Sequence, residues 1–305
     1  MCIQKSDNAA QTFSNVYNNL TRIMSKNLIL LDFEGTLHDG ENFLPSSKGF
    51  IEKLSREDYT VAVISNSPQF SSGQLKELFV KEFGPSLAEK IIQIDAAHLA
   101  VDAFSKNGVK TVFAMCNDSI CNELKEAGLT IYRPSDHAEL NDQIAENVTL
   151  KENIESILIG VDKEFNFCSI ALSSRYVTEK KTKFFVLGGD KQFRCGDHFI
   201  PGALTLSTPV RHGTFTDPII IGKPSKELNV LVKQSIPSFE KFERIFIVGD
   251  NIETDFEIVK DLDNQKNVSI LVMTGVTNEK DLEKCETKPT FVCRDLEEVY
   301  NKIVE

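Results

Sequence analysis

The sequence predicts an α/β protein built on a Rossmann-like parallel-sheet core that carries an inserted α/β domain. Short apolar segments typical of buried strands alternate with segments whose apolar residues recur at helical spacing. Polar and charged side chains follow several of these strands, which is where open parallel sheets bind their ligands. A chain of 305 residues with 41% hydrophobic and 26% charged residues is long enough for two globular domains.

The first part of the chain sets up the parallel sheet. The segment Leu28–Asp32 is apolar on both faces and is typical of a strand buried within such a sheet. A helix with an apolar face is predicted around Phe50–Leu54, followed by a strand at Thr60–Ile64 and a helix around Leu75–Phe79. This βαβα order predicts parallel strands with helices on both faces of the sheet.

The middle of the chain has its own alternation, and we predict that residues 97–207 form the inserted domain. The first domain would then consist of residues 25–96 and 208–305, and residues 1–24 would be an N-terminal extension with an amphipathic helix over 13–24. In the inserted domain we expect a helix over 120–127 and strands over 110–114, 129–132, 156–161, 167–172 and 183–187. In the second part of the first domain we expect strands or helices over 218–222, 228–232, 244–248, 258–262, 268–273, 290–293 and 296–303.

The composition limits the classes of partner. A formal net charge of −11 argues against a surface that binds nucleic acid or an anionic membrane. No apolar run approaches the ~18 residues of a membrane span. The seven cysteines are scattered and form no C-x-x-C pair, so we expect reduced thiols in a cytoplasmic protein.

Polar and charged side chains follow four predicted strands of the first domain. They comprise four carboxylates, a hydroxyl, an amide and one ammonium group: Asp32, Glu34, Ser65, Asn66, Lys223, Asp250 and Asp255. Carboxylates brought together without a cation would repel each other, and one lysine is too little positive charge to prevent this. Carboxylate and phosphate oxygens are the ligands that Mg²⁺ prefers. The pattern therefore predicts a site for Mg²⁺ and a phosphate ester.

Each of these residues also has an ordinary structural explanation. Lys223 alone would more often be a solvated residue at a helix start, Asn66 a turn residue and Asp250 a helix N-cap. The segment Gly222–Ser225 resembles half of a P-loop, but Asp217 stands where that motif needs glycine, so a P-loop is excluded. The shared site is favoured because four such groups follow strand ends in a consistent order.

These segments resemble the four motifs of the haloacid dehalogenase-like phosphohydrolases. Asp32–Leu37 resembles the first motif, Ser65-Asn66 the second, Lys223 the third and Gly249–Asp255 the fourth. Within this superfamily the chain is most similar to the p-nitrophenyl phosphatase group, which includes phosphoglycolate and pyridoxal phosphate phosphatases. That group carries an α/β cap between the second and third motifs, and the inserted segment 97–207 agrees with this arrangement.

The resemblance implies a phosphatase that acts on a small phosphorylated metabolite through an aspartyl-phosphate. Asp32 would be the nucleophile, and Glu34 would protonate the leaving alcohol and then deprotonate the attacking water. Ser65, Asn66 and Lys223 would bind the phosphoryl group and stabilise its charge.

The resemblance also implies a metal site and a role for the cap. Asp32, the backbone carbonyl of Glu34 and Asp250 would hold Mg²⁺, with Asp255 in support. The cap would close over the pocket and set specificity. Pairing of two copies through their caps would give a homodimer. Asp190 would line the site from the substrate loop of the cap, with a β-turn role for Gly188-Gly189-Asp190 as the alternative.

Two positions depart from the family pattern. The family usually has aspartate where this chain has Glu34, whose longer side chain must fold back to reach the leaving oxygen. A misplacement of about 1 Å can cost ~10²-fold in rate, so we expect a slowed enzyme. Gly188 and Gly189 stand where the family usually offers a side-chain donor. The alternatives are a phosphotransferase, or a catalytically impaired relative that binds a phosphorylated ligand or partner.

Overall fold

The computed structural model describes residues 26–305 except 68, 138–146, 197, 257–261, 263–265 and 287. The predicted N-terminal extension with its helix therefore lies outside the described residues, as does most of the helix predicted over 258–262. No helix in the described ranges has both the length and the apolar content needed to cross a lipid bilayer.

Strands and helices alternate along most of the described chain. The strands are β1 (Asn27–Asp32), β2 (Tyr59–Ile64), β3 (Ile92–Ile94), β4 (Thr111–Met115), β5 (Thr130–Tyr132), β6 (Ser156–Ile159), β7 (Lys183–Leu187), β8 (Gln192–Cys195), β9 (His198–Pro201), β10 (Ile219–Ile221), β11 (Arg244–Gly249), β12 (Asn267–Val272) and β13 (Phe291–Cys293). The helices are α1 (Ser47–Arg56), α2 (Ser72–Phe83), α3 (Pro85–Ala88), α4 (Ala96–Asn107), α5 (Asp118–Glu126), α6 (Phe167–Glu179), α7 (Ala203–Thr214), α8 (Lys226–Ser235), α9 (Glu279–Lys284) and α10 (Leu296–Val304).

The first sheet has the order β13-β12-β11-β1-β2-β3, and all its neighbouring strands are parallel. From β1 the sheet continues through β2 and β3 on one side, and from β11 it continues through β12 and β13 on the other side. The adjacent strands β1 and β11 therefore form a topological switch point. Leu31 of β1 is paired with Val248 of β11. The residue that ends β1 therefore lies close to the loop that follows β11. The predicted α/β fold with a parallel-sheet core is confirmed.

The second sheet has the order β10-β7-β6-β4-β5 and is also parallel, while β8 and β9 form a separate antiparallel hairpin. The strand at 218–222 is predicted to belong to the first domain, and this assignment is wrong. In the structure Ile219 pairs with Phe185 and Ile221 with Leu187, so this strand belongs to the second sheet. An isoleucine run fits a buried position in either sheet, and the sequence does not say which neighbour it has.

The strand predicted over 167–172 is wrong, because this segment begins helix α6. The side chain of Asn166 caps the helix by accepting a hydrogen bond from the backbone N–H of Ser169, at 3.1 Å. Buried residues then recur at helical spacing, at Ser169, Leu172, Ser173, Tyr176 and Val177. The apolar residues of the first six positions form a run too short to distinguish a buried strand from a helix.

One hydrophobic layer joins the two sheets. It contains residues of the first sheet such as Leu30 together with residues of the second such as Val112, and α4 and α8 pack into it. Phe104 of α4 meets Phe185 of β7 edge to face, with ring centroids 5.3 Å apart. This shared layer fixes how the two sheets meet and brings the end of β10 to the switch point of the first sheet. The predicted domain boundaries otherwise stay a prediction.

Candidate active site

Asp32 ends β1 at the switch point, with only 9% of its surface exposed. Its Oδ1 atom accepts a hydrogen bond from the Nζ of Lys223. Its Oδ2 atom is buried and has no hydrogen-bond partner among the residues that the structure describes. Because buried carboxylate oxygens are almost always paired, this atom indicates a place for a further ligand.

Two more carboxylates, Asp250 and Asp255 from the loop after β11, lie next to Asp32. Ligand oxygens of Asp32, Asp250 and Asp255 all lie within 4.8 Å of one another. Asp250 is held by the backbone N–H of Val276, 2.6 Å from its Oδ2. Gly35 has a positive φ of 86°, and a Cβ there would collide with the carboxylate of Asp250. The turn after β1 therefore depends on glycine for its backbone conformation and for its close approach to the carboxylate cluster.

The cluster has less positive than negative charge. Burial raises the pKa of Asp32 to about 7, with Asp255 adding to the rise and Lys223 opposing it. Burial also raises the pKa of Asp250 well above its usual value, and repulsion from Asp32 and Asp255 adds to this. Burial alone would lower the pKa of Lys223, but Asp255 and Asp32 raise it, so this residue stays protonated.

The donor set fits a divalent cation such as Mg²⁺. It consists of oxygen atoms alone, and one of these carboxylate oxygens has no partner among the described residues. The ammonium group of Lys223 lies against Asp32 and Asp255. The sequence predicted that Asp32 and Asp250 lie together with Asp255 beside them, and the structure places them so.

The two residues that follow β2, Ser65 and Asn66, lie at the same site. Ser65 is buried, lines the cavity beside Asp32, and its Oγ accepts a hydrogen bond from the backbone N–H of Ser67 at 3.0 Å. The Oδ1 of Asn66 accepts from the backbone N–H of Lys223, at 2.8 Å. Its Nδ2 donates to the carbonyl of Lys223 and to Asp190, both at 2.8 Å. Both ends of the Asn66 side chain are thus used by protein groups.

Glu34 lines the same cavity and is held by a residue that the sequence analysis did not assign. The Oγ of Ser67 donates a hydrogen bond to its Oε1 at 2.7 Å. Burial raises the pKa of Glu34 to about 8, against the opposing effect of that hydrogen bond. The side chain is therefore a carboxylic acid at neutral pH in this arrangement. A signal for Ser67 was present, since it lies two residues after Ser65 in an extended segment.

Asp190 reaches the site from the second sheet, just beyond the end of β7. Its Oδ1 accepts hydrogen bonds from Asn251 Nδ2 and Thr254 Oγ1, both at 3.1 Å, and its Oδ2 accepts from Asn66. Neither Asn251 nor Thr254 is among the predicted site residues, although both lie inside the segment Gly249–Asp255 that resembles the fourth motif.

All eight predicted site residues, including Asp250 and Asp255 of the loop after β11, line one small cavity of about 40 Å³. The hairpin residues Gln192, Phe193 and Arg194 close it on one side. The guanidinium of Arg194 donates to the carbonyls of Gly196 and Thr274, both at 2.8 Å. A second cavity of about 490 Å³ adjoins it and shares the wall formed by Gln192, Asn251 and Val276.

Comparison with known proteins agrees with this arrangement. Residues 29–130 match the family model of haloacid dehalogenase-like hydrolases, and residues 220–299 match a second model of HAD-hydrolase-like proteins. The chain belongs to the haloacid dehalogenase-like hydrolases. The two matched regions contain the clustered carboxylates Asp32, Asp250 and Asp255 together with Lys223, while Asp190 lies between the two regions.

Three relatives of this family cover most of the chain. A 4-nitrophenylphosphatase of Schizosaccharomyces pombe is 23% identical over 264 residues, covering 84% of this chain and 86% of that protein. The structure of a 4-nitrophenylphosphatase from Thermotoga maritima matches with a TM-score of 0.70 and 20% identity, covering 92% of this chain and 98% of the other.

A glycerol phosphate phosphatase of Mycobacterium tuberculosis, solved in complex with magnesium, matches with a TM-score of 0.68 and 18% identity, covering 90% of this chain and 76% of the other. The predicted superfamily, its p-nitrophenyl phosphatase group and the enzyme class, a phosphatase, are confirmed. The metal, the substrate and the role of each residue stay predictions.

Proposed function

We propose that the protein is a Mg²⁺-dependent phosphatase that hydrolyses small phosphate monoesters through an aspartyl-phosphate. The observation that carries this proposal is the Oδ2 of Asp32, which no described residue contacts by a hydrogen bond, in a residue whose carboxylate lies within 4.8 Å of oxygens of Asp250 and Asp255. A buried carboxylate with one free oxygen, next to the ammonium of Lys223, suits both cation binding and nucleophilic attack. The relative solved with magnesium supports the choice of metal.

The metal would be held by Asp32, Asp250 and the backbone carbonyl of Glu34, with Asp255 in support. When bound, Mg²⁺ would neutralise charge on the phosphoryl oxygens and on the clustered carboxylates. Lys223 stays protonated between Asp32 and Asp255, so it would also offset the charge of a bound phosphoryl group.

The first step would be attack of an Asp32 carboxylate oxygen on phosphorus. The new O–P bond forms while the bond between phosphorus and the leaving oxygen breaks, and the phosphoryl group passes to Asp32. Glu34 is a carboxylic acid held by the Ser67 hydroxyl, and it would give its proton to the departing alkoxide. Ser65 lines the cavity and would donate its hydroxyl hydrogen to a phosphoryl oxygen.

The second step would reverse the role of Glu34. Its carboxylate would take a proton from a water molecule as the water oxygen attacks phosphorus, and the bond to Asp32 would break. Inorganic phosphate leaves, and Asp32 and the protonated Glu34 are restored. The Ser67 hydrogen bond would hold the longer glutamate side chain in place for both proton transfers.

The cavity is smaller than a phosphate monoester requires. Its volume of about 40 Å³ has room for a few water molecules, since one water occupies on the order of 10–15 Å³ by this measure. We infer that the second sheet with its hairpin acts as a cap, and that the structure represents the closed arrangement. Opening would admit the ester, and the neighbouring cavity of about 490 Å³ would accommodate its leaving group.

Hydrolysis of p-nitrophenyl phosphate tests the proposal directly. The parent chain should turn over with Mg²⁺ and stop in EDTA, Asp32→Asn should be inactive, and Glu34→Asp should be faster than the parent. An inactive parent that Glu34→Asp restores would support the catalytically impaired alternative. If Asp32→Asn were as active as the parent, the assignment of the nucleophile would be wrong.

A further inference from the structure

Asp190 lies where the two sheets of the molecule meet. It follows the carboxyl end of β7, whose neighbour β10 leads directly to Lys223. The backbone N–H of Gly188 bonds the carbonyl of Ile221, and that of Gly189 bonds the carbonyl of Lys223 at 2.8 Å, so the strand pairing continues up to the site. Asp190 and Lys223 therefore follow the ends of two paired strands, β7 and β10, and lie side by side.

Asn66 of the first sheet connects this unit to the phosphoryl site. Its amide accepts from the N–H of Lys223 and donates to the C=O of the same residue, both at 2.8 Å, which fixes the backbone of Lys223 in position and rotation. The same Nδ2 donates to Asp190. Gly222 has a φ of 99°, and a Cβ there would collide with the Asn66 Oδ1 atom. The contact requires glycine at this position.

The other oxygen of Asp190 binds the loop that follows β11. Its Oδ1 accepts from Asn251 Nδ2 and Thr254 Oγ1. These two residues lie directly beside the carboxylates that cluster with Asp32. The backbone N–H of Asn251 in turn donates to Asp255 Oδ2 at 3.0 Å, so the position of this loop determines the position of Asp255.

We propose that Asp190 is a positioning residue, which ties Asn66 after β2 and the carboxylate loop after β11 to the strand that supplies Lys223. This inference rests on the proposed phosphatase function. The sequence predicts that Asp190 lines the site from the substrate loop of the cap, and in the structure Asp190 is part of the cavity wall. In the structure its two carboxylate oxygens accept three hydrogen bonds from protein side chains, and its negative charge does not suit contact with a phosphoryl group.

The substitution Asp190→Asn separates positioning from bulk, because the two side chains have the same shape. All three partners of Asp190 donate hydrogen atoms, while an asparagine has one accepting oxygen and one donating amide. Either orientation of the amide places donor against donor on one side. Displacements of about 1 Å at a catalytic site cost ~10²-fold in rate, so we expect kcat to fall by about 10- to 100-fold.

The experiment compares the parent, Asp190→Asn and Asp162→Asn in Mg²⁺, with two substrates of different leaving group, p-nitrophenyl phosphate and glycerol phosphate. Asp162 is a matched control, since it is also buried but bonds Arg133 and the backbone of Glu164 within the second sheet unit. The thermal shift produced by orthovanadate with Mg²⁺ is measured in parallel, because vanadate occupies a phosphoryl site without a leaving group and needs no turnover.

A positioning role predicts the same fold-loss of kcat for both substrates in Asp190→Asn and a smaller vanadate shift, with Asp162→Asn like the parent. A loss confined to one substrate with an unchanged vanadate shift would show a leaving-group contact and overturn the inference. Parent-like kcat and vanadate shift would also overturn it. If the parent has no turnover, the proposed function fails, and the vanadate shifts alone decide: a reduced shift in Asp190→Asn supports positioning, and equal or absent shifts refute it.

A second variant covers the case in which Asp190→Asn does not fold. Thr254→Val keeps the carboxylate and its other two donors but removes the hydroxyl that donates to Asp190 at 3.1 Å. We expect the same pattern of losses at a smaller size, about 3- to 10-fold in kcat, because only one of the three hydrogen bonds to Asp190 is lost. A folded Thr254→Val protein with parent-like kcat and vanadate shift would contradict the inference.

Discussion

The unfolding free energy of the Mg²⁺-free protein is expected to fall as the pH rises from 5.5 to 8. Burial raises the pKa of Asp32 from 3.8 to about 7 and that of Glu34 from 4.5 to about 8. With a raised carboxyl pKa, the folded state keeps a proton that the unfolded state has already lost, so stability decreases until the pH passes the folded pKa. Each tenfold difference in proton affinity corresponds to ~1.4 kcal/mol, so between pH 5.5 and 7 Asp32 alone lowers stability by about 2 kcal/mol.

Urea unfolding in EDTA at pH 5.5 and at pH 8 measures this effect, and Asp32→Asn is its control. The variant lacks the titrating carboxyl, so its stability should change less over this range, by about 2 kcal/mol. His98 titrates in the same direction, because its hydrogen bond to Asp95 raises its pKa, but this contribution is present in both proteins and cancels. Mg²⁺ should stabilise the parent more at pH 8 than at pH 5.5, because protons compete with the metal for the carboxylates.

Two results would refute this reasoning. If the parent and Asp32→Asn lost the same stability between pH 5.5 and 8 in EDTA, Asp32 would not have a raised pKa in the folded protein. If Mg²⁺ left the stability of the parent unchanged at pH 8, the three carboxylates would not form a cation site. The second result would remove the central support of the proposed mechanism.

Two further substitutions test the supports of the site. Ser67→Ala removes the hydroxyl that donates a hydrogen bond to Glu34 at 2.7 Å. We expect kcat for p-nitrophenyl phosphate to fall by about 10-fold, while the melting temperature stays within a few degrees of that of the parent. A parent-like kcat would show that Glu34 is positioned by other contacts. Gly222→Ala places a Cβ against Asn66, at a residue whose φ is 99°. We expect this substitution to lower the unfolding free energy by roughly 1–3 kcal/mol in urea unfolding. The control Gly49→Ala, at a position with open space around it, should not destabilise the protein.

Much of the first sheet could be predicted because its strands are long and apolar on both faces. Leu28–Asp32 and the strand before Asp250 were found for this reason, and the rule that ligands bind at strand ends then brought Asp32 and Asp250 together. The segment from Phe167 was misassigned because the helical period appears only when the window extends to Tyr176. Helix α4 and the β8–β9 hairpin were not found, since neither has a strong periodic pattern.

The less predictable part of the site consists of small polar residues that act through hydrogen bonds. Ser67, Asn251 and Thr254 each bind a site carboxylate, but hydroxyl and amide side chains are common in loops and their partners come from distant segments. Asp190 was identified as a site residue, while its contacts to the first sheet could not be inferred without the strand order. The position of β10 in the second sheet is the piece of topology that the residue pattern could not supply.

The placement of β10 also decides where this protein can be divided for engineering. A chimaera that exchanged residues 97–207 for the corresponding segment of a relative would leave Ile219–Ile221 beside a foreign β7. Because β7 is the one described strand that pairs with β10, and β10 leads into Lys223, such a graft would misplace the lysine even if every other motif were intact. A segment exchanged to change the substrate preference therefore has to end after Lys223, so that β7, β10 and the lysine come from the same protein.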